Sequence, residues 1–328
     1  MPTDPSMLSA LIKLARPTQW GKGVFVLIGP IYALAQGTAQ FTASYAFAAI
    51  GVFIAFGLAS SGCYIVNDIA DREADANHPR KKHRPIASGK VPVSLARFYA
   101  AGLFAAAAIV LAVIPVDDRW PWTWAIVVGY TLNVLAYSAL FKHRVILDVV
   151  SLSLGFVLRV LAGCAAVGAM PSTWLLNSTL FLAMFLAFGK RLGERRTMEA
   201  AGVSAETARG VQKVYSDELL RMAVVMTAVG ALITYAGYIE EQEGTYGPSI
   251  TQVAEGAAWG FNWLWLTILP ATYALLRCIV LLERGLYDDP TELAVRDRGV
   301  QMASITFGII AAAVLIAKHG GLPLTPAA

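Results

Sequence analysis

Residues 64–90 read YIVNDIADREADANHPRKKHRPIASGK. Asp68, Asp71 and Asp75 recur there at i, i+3 and i+7. On a helix that spacing brings their directions within about 60° of one another, with Glu73 roughly opposite. Three like charges on one face destabilise a helix and call for a compensating cation. Mg²⁺ suits them, because it takes a few carboxylates and fills its remaining positions with water and substrate phosphate oxygens. Asn67 opens the acidic register. The basic run Arg80, Lys81, Lys82, Arg84 and Lys90 follows and suits an anionic ligand. His78, just before Pro79, is placed to bond a carboxylate or a phosphate. The chemistry this combination serves is a diphosphate held through magnesium, with Asp68, Asp71 and Asp75 as catalytic and metal-binding residues. The plainer alternative is a solvated loop whose charges set topology. The aspartate register favours a site; Arg72 and Glu73, off the acidic face, read as solvated.

Three further clusters carry charge into apolar surroundings. In YSALFKHRVILD, Tyr137, Lys142 and Asp148 are candidate substrate-binding residues, while Arg144 reads as an ordinary loop charge. Asp148 begins an apolar segment, and Arg159 in FVLRVLAG lies deeper in the same one. A charge near mid-bilayer costs ~3 kcal/mol on insertion scales, so Arg159 needs a structural ion pair or an anionic ligand. Asp148 and Arg159 are three helical turns apart, a spacing that lets both face one cavity. In FGKRLGERR, Lys190 and Arg191 either snorkel at a helix end or clamp a phosphate. Arg296, in YDDPTELAVRDRGVQ, sets topology or closes over substrate. Near the N-terminus, RPTQWGK places Arg16, Trp20 and Lys22 at a membrane interface, Trp20 as an anchor. Lys22 faces either headgroups or the polar site.

These residues must be positioned by membrane-spanning helices. A span needs ~20 mostly apolar residues. Such runs cover about 23–37, 42–66, 94–115, 121–141, 145–168, 172–190, 218–238, 259–282 and 299–317. The expectation is an all-α integral membrane protein with nine helices, the first shortened and interrupted by Pro30. Residues 1–328 read as one polytopic domain with long charged loops at 67–93, 189–217 and 283–298. Those loops carry most of the Lys and Arg, whereas the connections near 38–41, 116–120, 169–171 and 239–258 contain only Arg119. The positive-inside rule places the basic loops and the N-terminus in the cytoplasm and the C-terminus outside.

Composition excludes much else. Of 328 residues 57% are hydrophobic and 15% charged, and the mean hydropathy is +0.58. Soluble domains carry about 25% charged residues. Cys63, Cys164 and Cys278 lie far apart in apolar segments and read as small core residues, without metal spacing. Asp4, with no basic stretch before a short apolar core, argues against a cleaved signal. No phosphate-cradling glycine loop, zinc constellation or nucleophilic triad is present, and nothing calls for nucleic acid. Homo-oligomerisation is left open.

The NDxxDxxxD run, together with RPTQWGK, KHRVILD, FVLRVLAG, GKRLGE and AVRDR, resembles the UbiA superfamily of intramembrane prenyltransferases. The resemblance covers most of the chain and is closest to the superfamily's phosphoribosyltransferase branch. It implies a UbiA-type bundle with a cytoplasm-facing polar cavity, in a bacterial inner membrane. It implies Mg²⁺ as cofactor, phosphoribosyl pyrophosphate as donor and a polyprenyl phosphate as acceptor, in cell-wall arabinan precursor synthesis. Lys22, Arg84, Lys142, Arg159, Lys190 and Arg191 would grip phosphates. Two departures stand out. Lys190-Arg191-x-x-Glu194 occupies the place of the second acidic motif of aromatic prenyltransferases, and Gly23 follows Lys22 where Asn is expected. The rival readings are an aromatic prenyltransferase using a prenyl diphosphate, and a transporter or lipid-anion binding protein.

Overall fold

A computed structural model describes residues 5–77, 81–114, 120–200, 215–242, 261–285 and 296–319. Among these residues all regular structure is helical. The α-helices are α1 (Pro5–Ala15), α2 (Val24–Gln36), α3 (Ala43–Ala70), α4 (Arg72–Ala76), α5 (Val93–Val113) and α6 (Trp120–Ala139). They continue as α7 (Leu147–Ala166), α8 (Thr173–Ala200), α9 (Asp217–Glu241), α10 (Ile268–Glu283) and α11 (Arg298–His319). Short 3₁₀ turns occupy Pro17–Gly23, Lys81–His83, Phe141–His143 and Trp263–Thr267.

Seven of these helices are long and apolar enough to cross a membrane, against the nine spans expected. The two that fall short are explicable. Helix α2 has 13 residues, a rise of ~20 Å against a hydrocarbon core of ~30 Å. Helix α6 has 20 residues, but Trp120, Trp122, Thr123, Trp124 and Asn133 dilute its apolar run. The expected loop 189–217 also begins later than its charges suggest, because α8 continues through GKRLGERR to Ala200. Arg191 and Glu194 pair at i, i+3 on that extension, and Arg195 and Arg196 both pair with Asp217.

The described chain divides into two compact units. The first comprises residues 1–142 and 154–171. Its centre is α3, whose buried face is built from Ala48, Ala49, Gly51, Ala55, Gly57, Ala59, Ser60, Ser61 and Gly62. Small residues let neighbouring groups approach closely, as is usual where helices pack in lipid. A Cβ on Gly51 would lie 2.8 Å from Ile114, and one on Gly62 2.8 Å from Phe104. Phe56, Tyr130, Val52 and Ala162 fill one core; Leu14, Ile65, Val91 and Ala96 fill another beneath α1. Helices α2 and α7 meet at their glycines. Pro30 lacks the N–H that would bond the carbonyl of Val26, and Gly163 sits over that carbonyl so closely that any side chain would collide with it. Thr42 caps α3 by accepting from the Tyr45 N–H at 3.1 Å.

The second unit comprises residues 143–153 and 172–328. Phe185, Phe188, Leu192, Tyr215, Leu220, Val224 and Leu282 pack with Val149 into its core. Ser216 caps α9, and Asp297 caps α11 by accepting from the Val300 N–H at 3.0 Å. Arg277 on α10 donates two bonds to Asp297, and these bonds hold the Asp297 carboxyl below the usual carboxylate range. The cysteines Cys63, Cys164 and Cys278 are free and buried, as expected.

Candidate functional site

In the first unit the acidic cluster forms where α3 ends. Helix α3 closes at Ala70, Asp71 forms its C-cap, and α4 carries Asp75 back over the same end. Asp68 is 2% exposed and Asp75 3%. The three carboxylates take different partners. Asp68 and Asp75 converge on Arg84, whose Nη1 donates to Asp68 Oδ1 at 3.1 Å and to Asp75 Oδ2 at 2.6 Å. Asp71 turns to Lys142, which donates at 2.5 Å, and to the amide of Asn67 at 3.2 Å. Lys81 adds a longer contact to Asp75, at 3.8 Å. Basic side chains of this unit thus pair with all three carboxylates. Arg72 and Glu73 pair with each other in solvent.

Arg16 completes the cluster, and the spacing of the acidic motif does not point to it. Its Nη2 donates to Asp68 Oδ1 at 2.6 Å, and its guanidinium lies over the Tyr64 ring, 5.2 Å from the centroid. Its backbone is left-handed, with φ 51° and ψ 55°. That conformation costs a non-glycine residue roughly 1–2 kcal/mol. It ends α1 and turns the chain into the 3₁₀ segment that carries Trp20 and Lys22. Trp20 is docked on α3 and not simply anchored in an interface: its Nε1 donates to Ser61 Oγ at 3.1 Å, and Gly57 leaves room for its ring. Gly23 has a packing reason too, since a Cβ there would lie 2.6 Å from the Phe53 ring. Lys22 is exposed in this turn.

Arg159 is 6% exposed inside α7. Its Nη1 donates to Gly155 O at 3.0 Å and its Nη2 to Tyr130 Oη at 2.7 Å. The Tyr130 hydroxyl also shares a 2.8 Å bond with Ser60 Oγ. The rings of Tyr130 and Phe156 face the guanidinium at 4.6 and 5.3 Å. Among the described residues Arg159 has no carboxylate partner, so its charge is met by dipoles and aromatic faces alone. Tyr137 lies half-buried near the end of α6.

In the second unit Asp148 is fully buried. It accepts from Arg191 Nε at 3.3 Å and from the Tyr215 hydroxyl at 2.6 Å. Tyr215 is a second residue that motif spacing does not reveal. Its hydroxyl also accepts the Ile146 N–H at 2.7 Å. Burial first, and the bond to Asp148 second, push that hydroxyl's pKa well above the ordinary tyrosine value. Ile146 has φ 70°, a rare conformation for a β-branched residue. Arg191 reaches on to Glu194 at 3.4 Å. Lys190 beside it is half-buried. Arg195 and Arg196 belong to a different network: with Arg221 they tie α8 and α9 together through Asp217 and Glu283. The basic cluster thus splits into a buried Arg191 and a structural pair. Arg296 is exposed, and His78 lies outside the described residues.

Among the described residues no three His, Cys, Asp or Glu side chains form a ready-made metal cage. The donor chemistry nevertheless suits Mg²⁺ in its usual mode, with one or two carboxylates and the rest water and phosphate oxygens.

An all-helical membrane chain with buried carboxylates and arginines at its helix ends is a class of protein built for polar chemistry at a membrane. A model of the UbiA prenyltransferase family matches residues 23–305. The chain belongs to that family. It is 34% identical, over 94% of its length and 93% of the relative's, to decaprenyl-phosphate phosphoribosyltransferase of Mycolicibacterium smegmatis. It is 30% identical to the protein of the same name from Mycobacterium tuberculosis, over 92% and 93% of the two chains. Its fold is similar to a solved UbiA homolog from Archaeoglobus fulgidus bound to geranyl diphosphate and Mg²⁺, with a TM-score of 0.58 and 17% identity over 95% and 99% of the chains.

Proposed function

We propose that this chain transfers the 5-phosphoribosyl group of phosphoribosyl pyrophosphate to a polyprenyl phosphate. A phosphate oxygen of the lipid bonds to C1 of the ribose. The C1–oxygen bond to pyrophosphate breaks, and pyrophosphate leaves with the electron pair. The product is a polyprenylphosphoryl-5-phosphoribose, a precursor for cell-wall arabinan. The observation that carries the reading is the 34% identity over nearly the whole of a relative bearing that name.

The site supports it chemically. The attacking phosphate is already an anion, so no strong general base is required, and alignment with charge neutralisation suffices. Asp68, Asp71 and Asp75 would hold Mg²⁺, which when bound neutralises charge on the departing pyrophosphate. Arg84 and Lys142, already at the aspartates, are cations within reach of a diphosphate held there. Arg159, a buried cation without a carboxylate partner among the described residues, suits an anionic group of either substrate. Lys190 and Arg191 replace the second acidic motif of aromatic prenyltransferases and suit direct phosphate binding. Lys22, Asn67, Tyr137, His78 and Arg296 are proposed as further binding residues, and Asp148 as the residue that orients Arg191. The polar site faces the cytoplasm, where phosphoribosyl pyrophosphate is available.

The test is product mass after membranes containing the protein receive labelled phosphoribosyl pyrophosphate, polyprenyl phosphate and Mg²⁺. The expected product is the phosphoribosylated lipid, absent when EDTA removes divalent ions. Turnover only with a prenyl diphosphate and 4-hydroxybenzoate would replace this reading with aromatic prenyl transfer. Binding without turnover of either pair would point to a transporter or lipid-anion carrier.

A further inference from the structure

The aspartates meant for magnesium are already occupied by cations of the chain. Asp68 Oδ1 accepts from two guanidiniums, Arg16 and Arg84, and Arg84 bridges to Asp75. Lys142 holds Asp71, and Lys81 approaches Asp75. Among the described residues four cations pair with these three carboxylates, a formal excess of one positive charge. A divalent ion arriving alone meets a site that is positive. To bind, it would have to displace Arg16 and Arg84 and leave two mostly buried guanidiniums without anionic partners. Arg16 is held there in a left-handed conformation directly before Pro17, where the backbone gains nothing from an arginine. Strained backbone of this kind persists where the surroundings over-determine it, typically at functional sites.

We infer that Arg16 is a diphosphate ligand of this site, held with Arg84 on the aspartates until diphosphate arrives, so that metal and diphosphate bind together and not in sequence. The inference rests on a diphosphate being the ligand here. A diphosphate offers several anionic oxygens in the geometry that guanidinium forks match. Arg16 and Arg84 turn from carboxylate to phosphate, and the freed carboxylate oxygens become available to the metal. Each partner removes the obstacle to the other, and such coupling is reciprocal.

The experiment is calorimetry on the purified full chain in nanodiscs, with Mn²⁺ alone, pyrophosphate alone, and each titrated in the presence of the other. Mn²⁺ should bind at least tenfold more tightly with saturating pyrophosphate than without it, and pyrophosphate should gain by the same factor. Arg16→Gln and Arg84→Gln should move the two affinities in opposite directions: tighter for Mn²⁺ alone, weaker for pyrophosphate. Arg16→Lys, which keeps the charge but loses the fork, should weaken pyrophosphate and leave Mn²⁺ alone unchanged. It supplies the test if a Gln variant fails to fold. Equal Mn²⁺ affinity with and without pyrophosphate overturns the inference, as do Gln variants that weaken both ligands or affect neither. Pyrophosphate is the diphosphate group of either candidate donor, so the outcome is separable from the transfer assay. Coupled binding without phosphoribosyl lipid keeps the inference and discards the substrate; phosphoribosyl lipid without coupling does the reverse.

Discussion

Lys142 and Asp148 show how differently two charged residues can act at one residue's scale. The Lys142–Asp71 pair is partly exposed, with side chains 20% and 28% accessible, so its loss should cost ~1 kcal/mol or less in stability. Lys142→Ala should therefore leave the thermal midpoint within a few degrees of wild type while lowering kcat/KM for phosphoribosyl transfer at least tenfold. Asp148→Asn should do the opposite first. Asp148 is fully buried against Arg191, and removing one member of a buried pair costs about 3–5 kcal/mol because the other charge is left uncompensated. The expected result is a clear drop in thermal midpoint, checked by scanning fluorimetry in detergent, with loss of activity following the loss of fold. The aspartates, Lys142, Asp148, Arg159 and Arg191 were all legible in the sequence, because charge is conspicuous in an apolar run. Arg16 and Tyr215 were not. Arg16 reaches an aspartate 52 positions away through a left-handed turn, and Tyr215 is an ordinary aromatic beside a charged loop. No spacing rule connects either residue to its partner.

At the scale of elements, the helices follow from apolar length, and their ends follow from side-chain pairing that length does not reveal. Helix α8 runs on through GKRLGERR because Glu194 and Asp217 neutralise it, where the pattern alone suggested a loop. The turn before α7 depends on one hydroxyl. Tyr215 accepts the N–H of Ile146, whose φ of 70° a β-branched residue resists, and donates to Asp148. Tyr215→Phe removes both bonds and should destabilise the protein by ~1–3 kcal/mol. Ile146→Gly, which fits a positive φ, should recover part of that loss in the double variant; a purely additive pair would show that the hydroxyl does not support the turn. The raised Tyr215 pKa has a definite sign. The folded state keeps this proton more tightly than the unfolded chain, so the stabilisation is complete below the unfolded value of about 10 and is lost as pH rises above it. Tyr215→Phe should flatten the alkaline limb of the thermal midpoint against pH.

For the whole molecule, the sequence settles more about which segments are apolar than about how many cross the bilayer. The sequence offers nine apolar runs, and among the described residues seven helices have the length and composition to cross, since α2 is too short and α6 too polar. Orientation rests on charge asymmetry, a kinetic preference of insertion that leaves no mark on packing. It can be read by chemistry, because the three native cysteines are buried and free and should be silent toward a membrane-impermeant maleimide. Glu73 is highly exposed beside the aspartate cluster, and Met170 is 85% exposed in the turn after α7. In intact cells Met170→Cys should label and Glu73→Cys should not, whereas after permeabilisation both should label. The reverse pattern would place the aspartates outside, away from cytosolic phosphoribosyl pyrophosphate, and would remove the donor from the proposed reaction even if the metal site were intact. Labelling of both in intact cells would place the end of α3 and the turn after α7 on one side of the membrane, the outcome expected if α5 and α7 cross and α6 does not.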